Sequence, residues 1–94
     1  MTFEKLAEMV RADFKATMEK EGFETFADMK RCYCWEAADI KDEVNTIITD
    51  LARQAYKNGE KAHFFMADDN SFIQIDICED MSWRDFKKLV FANL

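Results

Sequence analysis

The apolar residues of this 94-residue chain change their spacing twice, and that switch limits its fold more than any other feature. From Phe3 to Ala55 they recur every three or four positions. From Phe64 to Ile77 they recur every second position about a polar turn, and from Trp83 onward the longer spacing returns. The longer spacing draws one apolar stripe along a helix, and the alternation draws one apolar face on a strand. A chain patterned this way is neither all-helical nor all-β. It reads as a single small α+β domain over residues 1–94, with helices packed on one face of a β-hairpin. Its hydrophobic fraction of 49% supplies enough material for one core.

The first stripe is Phe3, Leu6, Val10, Phe14 and Met18, with Ala7 alongside. Gly22 suits the left-handed position that ends a helix, and Phe23 would fold back on Met18. Thr25 and Asp28 have the spacing of a capping box, and a second stripe runs from Phe26 through Met29, Tyr33, Ile40, Val44 and Ile48 to Ala55. It passes in phase through Arg31-Cys32-Tyr33-Cys34-Trp35, residues of mediocre helix propensity. One continuous helix of roughly 33 residues fits the phase but is long for so small a domain. The sequence therefore predicts a short helix, then a kink or break near 32–36. Glu36, Asp39, Asp42 and Glu43 complement the dipole at the start of the following helix, and Asn58-Gly59 stops it. A solvated helix start explains those acids without a binding role.

Ala62–Ala67 and Phe72–Cys78 read as strands, with Asp69-Asn70 at the centre of a two-residue hairpin turn. That register opposes Met66 to Ile73, Phe65 to Gln74, Phe64 to Ile75 and His63 to Asp76. Phe64, Met66, Ile73, Ile75 and Ile77 then share the core face. The other face carries His63, Phe65, Ala67, Phe72, Gln74, Asp76 and Cys78. Ser82 is the N-cap of a last helix, with Asp85 at N3 and Met81 stapled to Phe86. The expected order is α-α-α-β-β-α, with the second and third helices joined or broken.

Few sites of chemistry are available. Two glycines, Gly22 and Gly59, stand too far apart for a phosphate-cradling loop or a dinucleotide fingerprint. Cys32, Cys34, Cys78 and His63 are conceivable zinc ligands, but the one-residue spacing of the first pair is too tight for a usual tetrahedral site. Free thiols, buried or half-buried, are the expectation. Asp68-Asp69-Asn70 begins like a calcium loop but runs into Phe72 and Ile73, so a polar turn is the better reading. No cofactor or metal site is expected. His63, Asp76 and Cys78 are the one trio that offers a small enzyme or metal site, as an alternative to the interaction role. No Lys or Arg lies between residues 62 and 83 to activate the thiol.

The net charge of −6 is unevenly spread. Residues 1–61 carry −3, residues 62–83 carry −5 with no base, and residues 84–94 carry +2. An acidic chain opposes nucleic-acid phosphates and anionic lipid, so direct binding to either is not expected. The hairpin and the turn after it form an acidic pole with aromatics among the carboxylates. Phe65, Asp68, Asp69, Phe72, Gln74, Asp76, Glu79 and Asp80 are the candidate contacts for a basic protein surface. One concrete form is a small inhibitor that fills a nucleic-acid-binding groove with carboxylates in place of phosphates. Compact acidic phage-type inhibitors, anti-CRISPR proteins among them, act so as a class. Alternatively this face is covered, by a third strand from 31–35 or by a second copy in a homodimeric assembly. Three cysteines, no secretory signal pattern and no long apolar run point to a cytoplasmic setting.

Overall fold

The computed structural model describes residues 1–94 and has seven elements. Helices α1 (Phe3–Glu21), α2 (Phe26–Cys32) and α3 (Ala37–Lys57) precede strands β1 (Phe65–Met66), β2 (Phe72–Asp76) and β3 (Glu79–Ser82). Helix α4 (Trp83–Phe91) follows. The strands form one antiparallel sheet in the order β1-β2-β3. The architecture is α+β, with the helices in the expected order.

Local chemistry sets the helix ends. Thr2, Thr25 and Ser82 each accept a hydrogen bond from the backbone N–H three residues on, at 3.1, 3.1 and 3.2 Å. Each satisfies a donor that a helix start leaves free. Gly22 lies at φ 80°, and the Phe23 N–H donates to the Met18 carbonyl at 2.8 Å, the closure expected there. Gly59 ends α3 the same way, with Glu60 donating to Ala55 at 2.9 Å.

The doubtful segment 31–35 is a helix end and a turn rather than a strand. Trp35 N–H donates to the Lys30 carbonyl at 2.9 Å and Cys34 N–H to Arg31 at 3.2 Å, while Cys34 sits at φ 56°. This is a glycine-type helix stop built on a cysteine, so no glycine marks it in the sequence.

The core joins all four helices and the inner face of the sheet. Leu6, Val10, Met29, Val44, Ile48, Ile73, Phe86 and Val90 are completely enclosed. Beside them an aromatic group fastens three helices: the Phe91 ring of α4 lies 5.9 Å from Phe14 of α1 and 5.1 Å from Phe26 of α2. Arg11 of α1 donates to the Leu89 carbonyl, placing a cation at the C-terminal end of α4 where the helix dipole favours one.

The hairpin register agrees with expectation, pairing Phe65 with Gln74 and Met66 with Ile73. Four features of the sheet do not. First, the Asn70 N–H donates to the Ala67 carbonyl, so the turn centres on Asp68-Asp69, with Asn70 alone at positive φ (59°). A two-residue hairpin turn needs positive φ at both central positions or at the first, and of Asp69-Asn70 only Asn70, the second, adopts it. Second, β1 begins at Phe65, so Phe64 and His63 make no ladder pairs, although Phe64 is buried. Third, β2 ends at Asp76. Its ladder with β3 shifts between Gln74 and Asp76, the alternation breaks, and Ile77 is 84% exposed rather than in the core. Fourth, the segment after Cys78 is not only a turn: Glu79–Ser82 forms β3, which lies beside β2 instead of covering its outer face.

Candidate functional site

Alternation along β2 sends Ile73 and Ile75 inward and Phe72, Gln74 and Asp76 outward. Residues directly paired across strands share a face, so Phe65, Gln74 and Asp80 form one row over all three strands. Phe72 pairs with Ser82 on one side of that row, and Asp76 with Glu79 on the other. The third strand thus brings Asp80 beside Gln74 and Glu79 beside Asp76, a grouping that hairpin geometry alone would not produce. Phe65 is half-exposed, as expected of the outer face.

The acidic pole is divided, however. Asp68 and Asp69 sit at the β1–β2 turn, whereas Asp76, Glu79 and Asp80 gather toward the other end of β2, roughly 13 Å along the strand. The turn acids also have local work. Asp69 Oδ1 accepts from Ser71 N–H at 3.0 Å. Hydrogen bonds from the Ser71 side chain and backbone, aided by the charge of Lys41, hold the Asp69 carboxyl below its ordinary value. Gln74 is similarly occupied: its Nε2 donates to the carbonyls of Asp76 and Ile77 at 2.8 and 2.9 Å, strapping the β2–β3 turn.

Nor are carboxylates the only surroundings of Phe65. It lines an open hollow of about 370 Å³ with exposed Tyr56 and the cations Arg53 and Lys57 of α3. The exposed apolar surface is therefore flanked by bases on the α3 side and by acids on the β3 side. Sequence reading missed Ile77 and Tyr56 as exposed apolar side chains. The ladder shift, which exposes Ile77, has no glycine to announce it.

His63, Asp76 and Cys78 do meet, around a hollow of about 350 Å³ shared with Ile77 and Glu79. No hydrogen bond or ion pair within 4.0 Å joins His63 to Asp76, and no group of three or more His, Cys, Asp or Glu side chains converges where a metal ion could sit. The trio thus lacks the base–orienter contact from which nucleophilic chemistry would start. Cys32, Cys34 and Cys78 are all free and all exposed, contrary to the buried or half-buried setting expected of them. Two of them fall in turns, where a side chain has no core to enter.

Among the helices, Asp13 shares a hollow of about 330 Å³ with Tyr33, Trp35 and Glu43. Partial burial, with the like charge of Asp50, raises its carboxyl above the ordinary value of 3.8. The folded state therefore holds that proton more tightly than the unfolded chain. This contribution to stability is present below pH 3.8 and is lost as pH rises through the folded value. Asp13→Asn should raise the melting temperature slightly at pH 7 and leave it unchanged near pH 3, as scanning calorimetry at the two pH values will show. An equal change at both would refute the assignment.

No family model, curated protein or solved structure matches the chain. No helix is long and apolar enough to cross a membrane.

Proposed function

We propose that this domain is a non-enzymatic interaction module whose outer sheet face docks on a basic protein surface. The observation that carries the reading is the cross-strand row Phe65–Gln74–Asp80. It sets a half-exposed aromatic on the same face as a carboxylate two strands, about 10 Å, away, with Asp76, Glu79 and the exposed Ile77 at the adjoining end. Apolar anchors give such contacts their affinity, and the charges give orientation and on-rate. In the sharper form of this reading the basic surface is a nucleic-acid-binding groove, and the domain inhibits its target by occupying it. Three carboxylates at one end of β2 and two at the other would then take the place of phosphates. A cytoplasmic setting belongs to the same proposal.

The test compares wild type with the combined variant Asp76→Asn, Glu79→Gln and Asp80→Asn. Proteins captured from host extract by wild type at low salt are identified and titrated against both forms at two salt concentrations. Binding should weaken about tenfold or more in the variant, and wild-type affinity should fall as salt rises. In the inhibitor form, nucleic acid competes with the domain for the captured protein. Equal affinity of the two forms together with indifference to salt would sink the proposal.

One observation favours a second reading. The Phe65/Tyr56 surface has Arg53 and Lys57 on one flank and Asp80 with Asp76 on the other. Such a surface is self-complementary under a two-fold axis, as a homodimer requires. A strict monomer by light scattering from micromolar concentration upward would rule this out.

A further inference from the structure

A different face of the molecule carries a groove of about 790 Å³ between α2, the start of α3 and α4. Its floor is apolar and aromatic, with Phe26, Trp83 and Phe91 among the lining residues. Ala37 and Ala38 form part of its wall, and their short side chains leave the space open. Lys30, Lys41 and Lys87, one from each of the three helices, also line it. The molecule has two ion pairs within 4.0 Å, Arg31–Asp28 and Arg53–Asp50, and neither involves these lysines. Asp69 lies near enough to Lys41 to feel its charge, but forms no ion pair with it. Three unpaired ammonium groups thus rim an apolar channel on a chain that is acidic as a whole.

We propose that this groove binds a single-chain anionic amphiphile of the long-chain carboxylate type. The volume falls within the ~300–1,000 Å³ of small-molecule sites. The apolar channel takes the chain, and lysines act as point charges toward a carboxylate head without demanding a fixed fork geometry. Lysine stems can lie along apolar surface while the ammonium stays in water, so the rim follows a mobile head at little cost. Acids elsewhere on the surface are screened from the head beyond about 8 Å at physiological salt.

The experiment titrates the protein with dodecanoate below its micellar concentration, by calorimetry and by amide and indole chemical shifts. The expected result is saturable binding at one site, with the largest shifts at Ala37, Ala38 and the Trp83 indole. Acetate, dodecanol and dodecylammonium should each bind about tenfold more weakly or worse. Ala38→Phe, at an exposed position of the wall, should abolish binding by filling the channel. The combined Lys41→Gln and Lys87→Gln variant should bring dodecanoate down to the level of dodecanol. Should Ala38→Phe fail to fold, the lysine variant decides alone, since its changes lie outside the core. Equal binding of dodecanoate and dodecanol to wild type, or shifts centred on Phe65 and Tyr56, would overturn the proposal. So would saturation by an acidic amphipathic peptide with no response to dodecanoate.

Discussion

Replacing Phe86 with alanine is expected to cost about 3–5 kcal/mol, a large share of the ~5–15 kcal/mol that holds a domain of this size together. Phe86 is the largest fully enclosed side chain in the molecule. It sits one turn into α4, whose apolar side is pressed between α1 and the sheet, so its removal leaves a void lined by parts that cannot close on it. Helix packing and sheet packing would both be weakened by a single truncation. Thermal melts followed by circular dichroism should show a fall of roughly 15–30 °C, and urea titration a matching loss of midpoint. A loss below about 1 kcal/mol would mean that α4 is peripheral to the core.

Two isoleucines separated by one residue should behave in opposite ways. Ile75 is 1% exposed and Ile77 84% exposed. Ile75→Ala should cost about 2–5 kcal/mol, whereas Ile77→Ala should stay within about 0.5 kcal/mol of wild type. Uninterrupted alternation would place both on one face and make both costly. The contrast therefore reads the ladder shift at Gln74–Asp76 directly, through paired urea titrations. A substantial loss for Ile77→Ala would show that β2 continues inward past Asp76. The same substitution bears on the proposed interaction, because an exposed isoleucine beside Glu79 matters to a partner while mattering little to folding.

What was legible in the sequence is what local chemistry decides. Gly22 before Phe23, Asn58 before Gly59, and Ser82 three residues before Asp85 each mark a helix end through bonds made within a few residues. The Phe65–Gln74 pairing was legible because one slip would turn Ile73 and Ile75 out to water. Strand β3 was not, because Glu-Asp-Met-Ser has little strand propensity of its own. It becomes a strand because β2 offers a free edge and Ser82 must be placed to cap α4. The stop at Cys34 was legible only as a break of uncertain form, since the residue in the left-handed position is not glycine. Counting charge along the chain located five acids but missed the length of β2 between them. The groove rimmed by Lys30, Lys41 and Lys87 has no sequence signal, because three separate helices contribute one lysine each.

The bond from Arg11 to the Leu89 carbonyl spans 78 residues of chain, and Phe14 meets Phe91 close by. Helices dominate the secondary structure, yet the first and last of them complete the core only by closing a loop of nearly the whole polypeptide. Loop-closure entropy must be overcome before those contacts return any stabilisation, and sheet pairing adds further non-local contacts. The local signals that make the helices easy to read thus contribute little to the slow part of folding. A chain with this topology is expected to fold more slowly than a helical bundle of the same length, which stopped-flow refolding would show.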